Sequence, residues 1–201
     1  MELDHLAVCC ARLDEGVAWV EATLGVTLQP GGQHARFGTH NRLLELGEGL
    51  YLEVIAPDPG APVPLHPRWF GLDHAGAPRL GNWIARVEDL ETALRDAPDG
   101  AGDALALSRG DLAWRIAVPP DGSLPYGGAY PTLIAWESGL HPSRRLPDAG
   151  VRLTALTVQH PEAVEVQGML GALHDPRVSY HEGPLQLRAV FQTPTGEKVL
   201  Q

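Results

Sequence analysis

The pattern of apolar and polar residues at the start of the chain predicts one strand, one helix and then three strands. Leu3 to Cys10 is a short apolar run typical of a buried strand. Apolar or small residues at 13, 17, 20 and 24 then follow helical spacing, and Gly25 supplies a stop signal. The extended stretches that follow are residues 33–40, Asn41–Leu46 and Leu50–Ile55. The pattern therefore predicts a first βαβββ module over residues 1–57.

The same order of elements recurs twice further along the chain. An offset of 77 places Leu13 on Leu90, and an offset of 150 places Leu3 on Leu153. The predicted helices are Leu90–Ala97 in the second unit and Pro161–Leu173 in the third. The predicted strands are residues 82–86, 105–107, 112–118 and 132–136, and then 153–158, 177–181, 185–192 and 197–200. Three agreeing units predict an internal repeat within one structural unit, with the second module at 80–140 and the third at 150–201.

A proline-rich segment over residues 58–79 separates the first two modules and reads as a linker. Trp69 and Phe70 lie inside it, and a mobile tether rarely carries two such side chains. We therefore expect a linker that is packed down, with Trp69 and Phe70 as candidates for a pocket wall.

The charge balance narrows the classes of partner. The chain has 15 basic and 25 acidic residues, which gives a net charge of −10 and argues against nucleic acid and anionic membrane surfaces. No uninterrupted apolar run is long enough to span a bilayer. The adjacent Cys9 and Cys10 point to opposite faces of a strand, so we expect two reduced, buried thiols and a cytoplasmic location.

Several sequence segments resemble a known superfamily. The opening Leu3-Asp4-His5-Leu6 and the later Leu24-Gly25-Val26 look like the first strand and helix of the vicinal oxygen chelate superfamily. More closely, the chain resembles the glyoxalase-like domain family. The segments that carry this likeness are Gly38–Leu43, Tyr51–Ile55, Pro67–Leu72, Trp114–Ala117 and Pro131–Trp136. The resemblance implies an α+β fold in which repeated βαβββ modules form a curved half-barrel sheet with helices outside. The third module would extend that sheet or pair across a homodimer.

The resemblance also implies candidate metal ligands on the first and last strands of each module. His5 and Glu53 fall on these positions in the first module, and both are good ligands for Zn, Ni, Fe or Mn. In the second module Asn82 stands where a second histidine would be expected. The position that matches Glu53 is Ala135, with Glu137 two residues on. The four-ligand set of glyoxalase I is therefore incomplete, and either Glu137 or His40 could complete a shell with His5 and Glu53.

The remaining candidates concern acid–base chemistry and substrate binding. Glu53 and Glu137 are the candidate catalytic carboxylates, since a positioned acid or base can shuttle a proton. The candidate substrate-binding residues are Asn41, Arg42, Asn82 and Arg115. Arg115 could instead pair with Glu53 or Glu137, and a pair with Glu53 would replace a metal altogether.

Two functions follow, and the sequence leaves both open. The first is an enzyme of the lyase, isomerase or dioxygenase kind, acting on a small oxygen-bearing metabolite with a divalent metal. The second is a metal-free protein that sequesters a small molecule, as bleomycin-binding relatives do.

Other polar and aromatic residues are expected to have structural or surface roles. Arg109-Gly110-Asp111 is expected to be a turn. Six further histidines have no ligand spacing and are expected mostly at the surface: His34, His66, His74, His141, His174 and His181. The tryptophans in predicted helices and strands are expected in the core: Trp19, Trp83, Trp114 and Trp136.

Overall fold

A computed structural model of the chain describes residues 1–137, 139–171, 173 and 175–201. The first module consists of β1 (Glu2–Cys9), α1 (Leu13–Leu24), β2 (Gln29–His34), β3 (Thr39–Gly47) and β4 (Leu50–Pro57). The second consists of β5 (Arg79–Arg86), α2 (Leu90–Arg95), β6 (Asp103–Arg109), β7 (Leu112–Val118) and β8 (Thr132–Trp136). The third consists of β9 (Arg152–His160), α3 (Ala163–Met169), β10 (Val178–Glu182), β11 (Gln186–Thr193) and β12 (Gly196–Leu200). Short 3₁₀ helices cover Trp69–His74, Pro125–Gly128 and Pro142–Arg145.

The first two modules form one curved sheet of eight strands, in the order β2-β3-β4-β1-β5-β8-β7-β6. Within each module the first strand pairs in parallel with the fourth, β1 with β4 and β5 with β8. The two modules join through the antiparallel pair β1 and β5 at the centre of the sheet. The α+β half-barrel of βαβββ modules expected from the sequence is therefore confirmed.

Local hydrogen bonds define the end of α1 and the start of α2. Gly25 follows α1 in the left-handed conformation, with φ of 71°, and its amide donates to the Glu21 carbonyl. Asp89 caps the start of α2 by accepting a hydrogen bond from the Thr92 amide at 3.0 Å. Both helices lie on the outer face of the large sheet, which leaves its inner face open for a site.

Strand alternation divides the core between the two faces of the large sheet. Leu6 and Val8 of β1 belong to the outer core, which packs against the helices and the third module. Ala7 and Cys9 of the same strand belong to a separate inner cluster with Trp69. The inner cluster forms the lining of the half-barrel.

The third module forms a sheet of its own, in the order β10-β9-β11-β12. Its first strand lies between its second and third, so it keeps the order of elements but not the strand pairing of the first two modules. Within the described residues it does not extend the large sheet, contrary to one expectation. Instead Leu156 and Phe191 join the outer core with Val20 and Trp83, because this face is apolar. Pairing across a homodimer remains a prediction.

The part of the intervening segment around Trp69 and Phe70 packs onto the inner face of the half-barrel. Trp69 and Phe70 are buried and stack with ring centroids 4.9 Å apart. Trp69 also stacks on Phe37 at 4.4 Å. No helix in the described part of the chain is long and apolar enough to cross a membrane.

Candidate functional site

A β-bulge in β1 brings two consecutive polar residues to the hollow of the half-barrel. Leu3 pairs with Ala85 and His5 pairs with Ile84, so Asp4 is the extra residue on β1. The bulge breaks the simple alternation, and Leu3 consequently packs in the outer core instead of sharing the face of His5. Asp4 and His5 can therefore act together although they are neighbours in sequence.

His5 lies between two carboxylates at the floor of the hollow. Its Nδ1 donates to Asp4 Oδ1 at 2.5 Å, and its Nε2 is 3.6 Å from Glu53 Oε1. Glu53 Oε2 accepts a hydrogen bond from Asn41 Nδ2 at 2.7 Å. The ring of His5 stacks on Tyr51 with centroids 4.2 Å apart. Asp4, His5 and Glu53 are 0%, 4% and 5% exposed, so their charges interact with little solvent screening.

Burial and pairing act in opposite directions on the protonation of these groups. Burial would lower the pKa of His5, but the hydrogen bond to Asp4 and the nearby carboxylates of Asp4 and Glu53 outweigh it and raise that pKa to about 9. Burial would raise the pKa of Asp4 and Glu53, but their histidine and amide partners hold both values below the usual range. At neutral pH the site therefore holds an imidazolium between two carboxylates.

The second oxygen of Asp4 receives two donors from the end of the second module. Trp136 Nε1 donates to Asp4 Oδ2 at 3.0 Å, and His141 Nε2 lies 3.1 Å from the same oxygen. Nδ1 of His141 contacts Ser143 Oγ at 2.7 Å and accepts from the Ser143 amide at 3.4 Å, which leaves Nε2 as the donor to Asp4. His141 was expected at the surface, because its place in a proline-containing loop gave no strand position from which to infer a role.

Arg109 closes the gap between the two edge strands of the large sheet. It ends β6, and its NH1 lies 3.2 Å from His34 Nε2 of β2 and 3.5 Å from Asn41 Oδ1 of β3. Burial lowers the pKa of His34 to about 4, so this histidine is neutral and its Nε2 can accept from the guanidinium. Gly32 leaves room for the contact, since a Cβ there would come within 2.6 Å of Arg109. Arg109 is thus a residue of the hollow, although the sequence suggested only a turn.

Aromatic side chains form the rest of the wall. Trp69, Phe70, Trp114 and Trp136 line the hollow beside the polar groups. The free volume between them is about 30 Å³, which is room for one or two water molecules or a small functional group.

Two of the residues singled out in the sequence lie on the other side of β3. His40 pairs with Ala56 and Arg42 with Val54, so both face outward, whereas Asn41 between them faces the hollow. His40 and Arg42 line an outer cleft of about 810 Å³ beside α1. The structure therefore does not bring His40 together with His5 and Glu53, because consecutive strand residues alternate in direction.

Asn82, which was expected to bind substrate from the second module, forms hydrogen bonds within the protein instead. Asn82 faces inward, but Thr132 Oγ1 accepts from its amide at 2.9 Å and its carbonyl oxygen accepts from the Trp83 amide at 2.9 Å. This buried side chain is therefore occupied by structural hydrogen bonds.

In β7 and β8 the residues that face the hollow are one position away from those expected from the sequence. Arg115 pairs opposite Ala135 on the outer face and forms an ion pair with Glu91 of α2. The inward residues are instead Ile134 and Trp136, and Glu137 is exposed beyond the end of β8. Arg115 therefore contacts neither Glu53 nor Glu137, and Glu137 lies outside the hollow.

The residues of the hollow do not fit a resident divalent metal. Within the described residues, no group of three or more His, Cys, Asp or Glu side chains is arranged to hold an ion. Nδ1 of His5 is held by Asp4, and the guanidinium of Arg109 lies against His34, a further nitrogen donor of the lining. A cation at that position would repel an added metal ion.

The paired βαβββ modules form one half-barrel that carries His5 on its first strand and Glu53 on its fourth. A family model described as a glyoxalase-like domain matches residues 3–174, and the chain belongs to this family. No curated protein matches the chain.

Solved structures with a similar fold are distant in sequence. The crystal structure of a hypothetical protein from Staphylococcus aureus is 13% identical, with a TM-score of 0.58 and coverage of 92% of this chain and 87% of that one. Methylmalonyl-CoA epimerase from Mycobacterium tuberculosis is 23% identical, with a TM-score of 0.43 and coverage of 69% and 88%. A variant of the Streptomyces coelicolor epimerase, in complex with 2-nitronate-propionyl-CoA, is 18% identical, with a TM-score of 0.43 and coverage of 69% and 97%. At these identities the first likeness shows the fold alone, and function is argued from the site.

Proposed function

We propose that this protein is an enzyme that moves a proton next to a carbonyl group of a small oxygen-bearing metabolite, without a resident metal. The observation that carries the proposal is the arrangement of His5 and Glu53. The Nε2–H of His5 faces Glu53 across 3.6 Å, a separation longer than an ordinary hydrogen bond. A substrate oxygen can therefore take this donor without breaking a short contact.

Substrate binding would also activate Glu53. In the free protein the imidazolium of His5 holds the pKa of Glu53 down and makes it a weak base. A carbonyl oxygen that accepts from His5 Nε2 draws that donor away, and the basicity of Glu53 rises as the substrate enters. Asn41 keeps the other Glu53 oxygen in place through its 2.7 Å hydrogen bond.

The proton transfer balances with these groups alone. Glu53 takes the proton from the carbon beside the carbonyl, so the C–H bond breaks and an O–H bond forms. The electron pair of the C–H bond moves to the carbonyl oxygen, where the Nε2–H of His5 stabilises the resulting enolate. Return of the proton to the other face of the same carbon gives the epimer. Asp4 is a positioning residue, because it orients His5 and keeps it protonated.

Deuterium exchange tests this proposal. A panel of small 2-oxo and 2-hydroxy compounds is incubated with the protein in D₂O, and loss of the proton signal is followed by NMR. We expect the wild type to accelerate exchange of at least one compound, and Glu53→Gln to slow it about 10²- to 10⁴-fold. Glu137→Gln is the matched control, because this glutamate is exposed and outside the hollow. Equal exchange by the wild type and Glu53→Gln would overturn the proposal.

A metal-free sequestering protein is the second candidate. The aromatic wall and the absence of a fitting donor set among the described residues both suit a binding site that needs no chemistry. This function predicts that a small ligand binds equally well to the wild type and Glu53→Gln, with no exchange by either.

A further inference from the structure

Arg109 is held in the hollow without an ion pair, unlike several other arginines of the chain. Arg68, Arg86 and Arg115 each form an ion pair with a carboxylate. Arg109 is half-buried in the hollow, and among the described residues no carboxylate lies within 4.0 Å of it. Its contacts are neutral, the imidazole of His34 and the amide oxygen of Asn41. A half-buried guanidinium without a carboxylate partner can bind an anion that enters the hollow.

Asn41 explains why Arg109 stays free of Glu53. Its amide nitrogen donates to Glu53 Oε2 at 2.7 Å, while its carbonyl oxygen faces Arg109 NH1 at 3.5 Å. The Gly32 amide donates to the same carbonyl oxygen at 2.8 Å and fixes the side chain. Asn41 therefore separates the guanidinium from the carboxylate, so that neither neutralises the other.

The charges of the hollow allow an anion to enter. Asp4 and Glu53 are negative, and His5 and Arg109 are positive, so the four charges cancel. A monoanion approaching Arg109 meets a locally neutral site even though the whole chain carries −10. The guanidinium presents its donors in a plane, which suits both oxygens of a carboxylate.

We propose that Arg109 anchors a carboxylate of the substrate, so that the substrate class is small carboxylic acids that carry a second oxygen near the reacting carbon. The inference rests on the proposed function for the roles of His5 and Glu53. The carboxylate would bind Arg109, a carbonyl oxygen would accept from His5, and the C–H carbon next to that carbonyl would face Glu53. The small free volume of about 30 Å³ favours short acids, whose carboxylate end would enter the hollow.

Paired acids and amides test the anchor directly. Pyruvate and pyruvamide, and lactate and lactamide, have nearly the same shape and differ in charge. Trp69, Trp114 and Trp136 line the hollow, so tryptophan fluorescence reports occupancy. We expect one acid to bind the wild type about 10- to 100-fold more tightly than its amide. Arg109→Gln should abolish this preference, and Arg109→Lys should keep part of it.

The controls separate this inference from the proposed function. Arg115→Gln should keep the full preference, since Arg115 pairs with Glu91 on the outer face. Glu53→Gln should also bind the acid in preference, although its exchange is slowed. If Glu53→Gln loses exchange but acids bind no better than amides, Arg109 is not the anchor and the proposed function stands. If the preference depends on Arg109 but exchange does not depend on Glu53, the anchor stands and the proposed function falls. A failure of both acids to bind the wild type also overturns the anchor.

Discussion

The two modules of the large sheet have the same topology but supply opposite kinds of surface to the hollow. The first module provides hydrogen-bonding and charged groups from its four strands, namely His5, His34, Asn41 and Glu53. The second provides an apolar and aromatic wall from Trp114, Ile116, Ile134 and Trp136, with Arg109 as its one charged contribution among the described lining residues. The same module fold thus presents polar groups on one side of the hollow and mainly apolar and aromatic groups on the other.

This division has an electrostatic consequence. An apolar wall lowers the effective dielectric constant around the polar half, so the interactions among Asp4, His5 and Glu53 are stronger than they would be in water. The second module therefore strengthens the electrostatic interactions in the first module, and it does not supply a matching set of polar groups.

Loss of Asp4 should be the largest disturbance of the polar half. Asp4→Ala leaves a buried imidazolium without its main partner, and it removes the acceptor of Trp136 and His141. We expect the free energy of unfolding to fall by about 3–5 kcal/mol, measured by urea denaturation. Asp14→Ala is the control, because Asp14 is exposed and should cost less than about 1 kcal/mol. Equal losses in the two variants would show that the Asp4 network does not stabilise the fold.

The pH dependence of stability should follow from His5. Its pKa in the folded protein is about 9, against an ordinary value of 6.5. The stabilisation is therefore complete below about pH 6.5 and is lost as the pH rises to 9, by an amount on the order of 3 kcal/mol. Urea denaturation over this range should show the decline in the wild type and a much smaller one in His5→Gln. Exposed His181 on β10 offers the control His181→Gln, which should behave as the wild type. The same decline in His5→Gln would remove His5 as its cause.

Loss of Asn82 should lower the stability of the protein and leave acid binding unchanged, in contrast to loss of the polar residues of the first module. Asn82→Ala leaves the Trp83 amide and Thr132 hydroxyl without their partner in a buried position. We expect a loss of about 1–3 kcal/mol in the free energy of unfolding, with acid binding unchanged. A loss of acid binding with full stability would instead place Asn82 in the site.

The outer arginine should have the smallest effect. Arg115 and Glu91 form a pair that is 35% and 48% exposed. Because solvent screens this pair, Arg115→Ala should lower the free energy of unfolding by less than about 1 kcal/mol and leave deuterium exchange unaltered. A large loss of exchange would return Arg115 to the substrate-binding residues.

Much of the fold could be predicted because it depends on local patterns. The helices have clear spacing and stop signals, and the repeat placed His5 and Glu53 on the first and fourth strands. The structure brings these two residues together at the centre of the sheet, where β1 and β4 are parallel neighbours.

The errors have physical reasons of a different kind. The strand β8 is almost entirely apolar, so its sequence contains no alternation that could show whether Ala135 or Ile134 faces inward. Arg109 and His141 reach the hollow through contacts distant in sequence, to His34 and Asp4, and no local pattern reports such contacts. The bulge at Asp4 is also invisible without the partner strand.

That bulge belongs to a pseudo-twofold relationship between the modules. The pairs Leu3–Ala85 and His5–Ile84 correspond, after exchange of the two strands, to Leu80–Val8 and Asn82–Ala7, so Gly81 is the counterpart of Asp4.

The counterpart position cannot accept the same chemistry. A Cβ at Gly81 would lie 2.9 Å from both Cβ and Sγ of Cys9, so an aspartate there would collide with the neighbouring strand. Cys9 therefore leaves no room for a counterpart of Asp4, and Asn82 occupies the position that corresponds to His5, so the internal symmetry does not produce a second Asp–His pair.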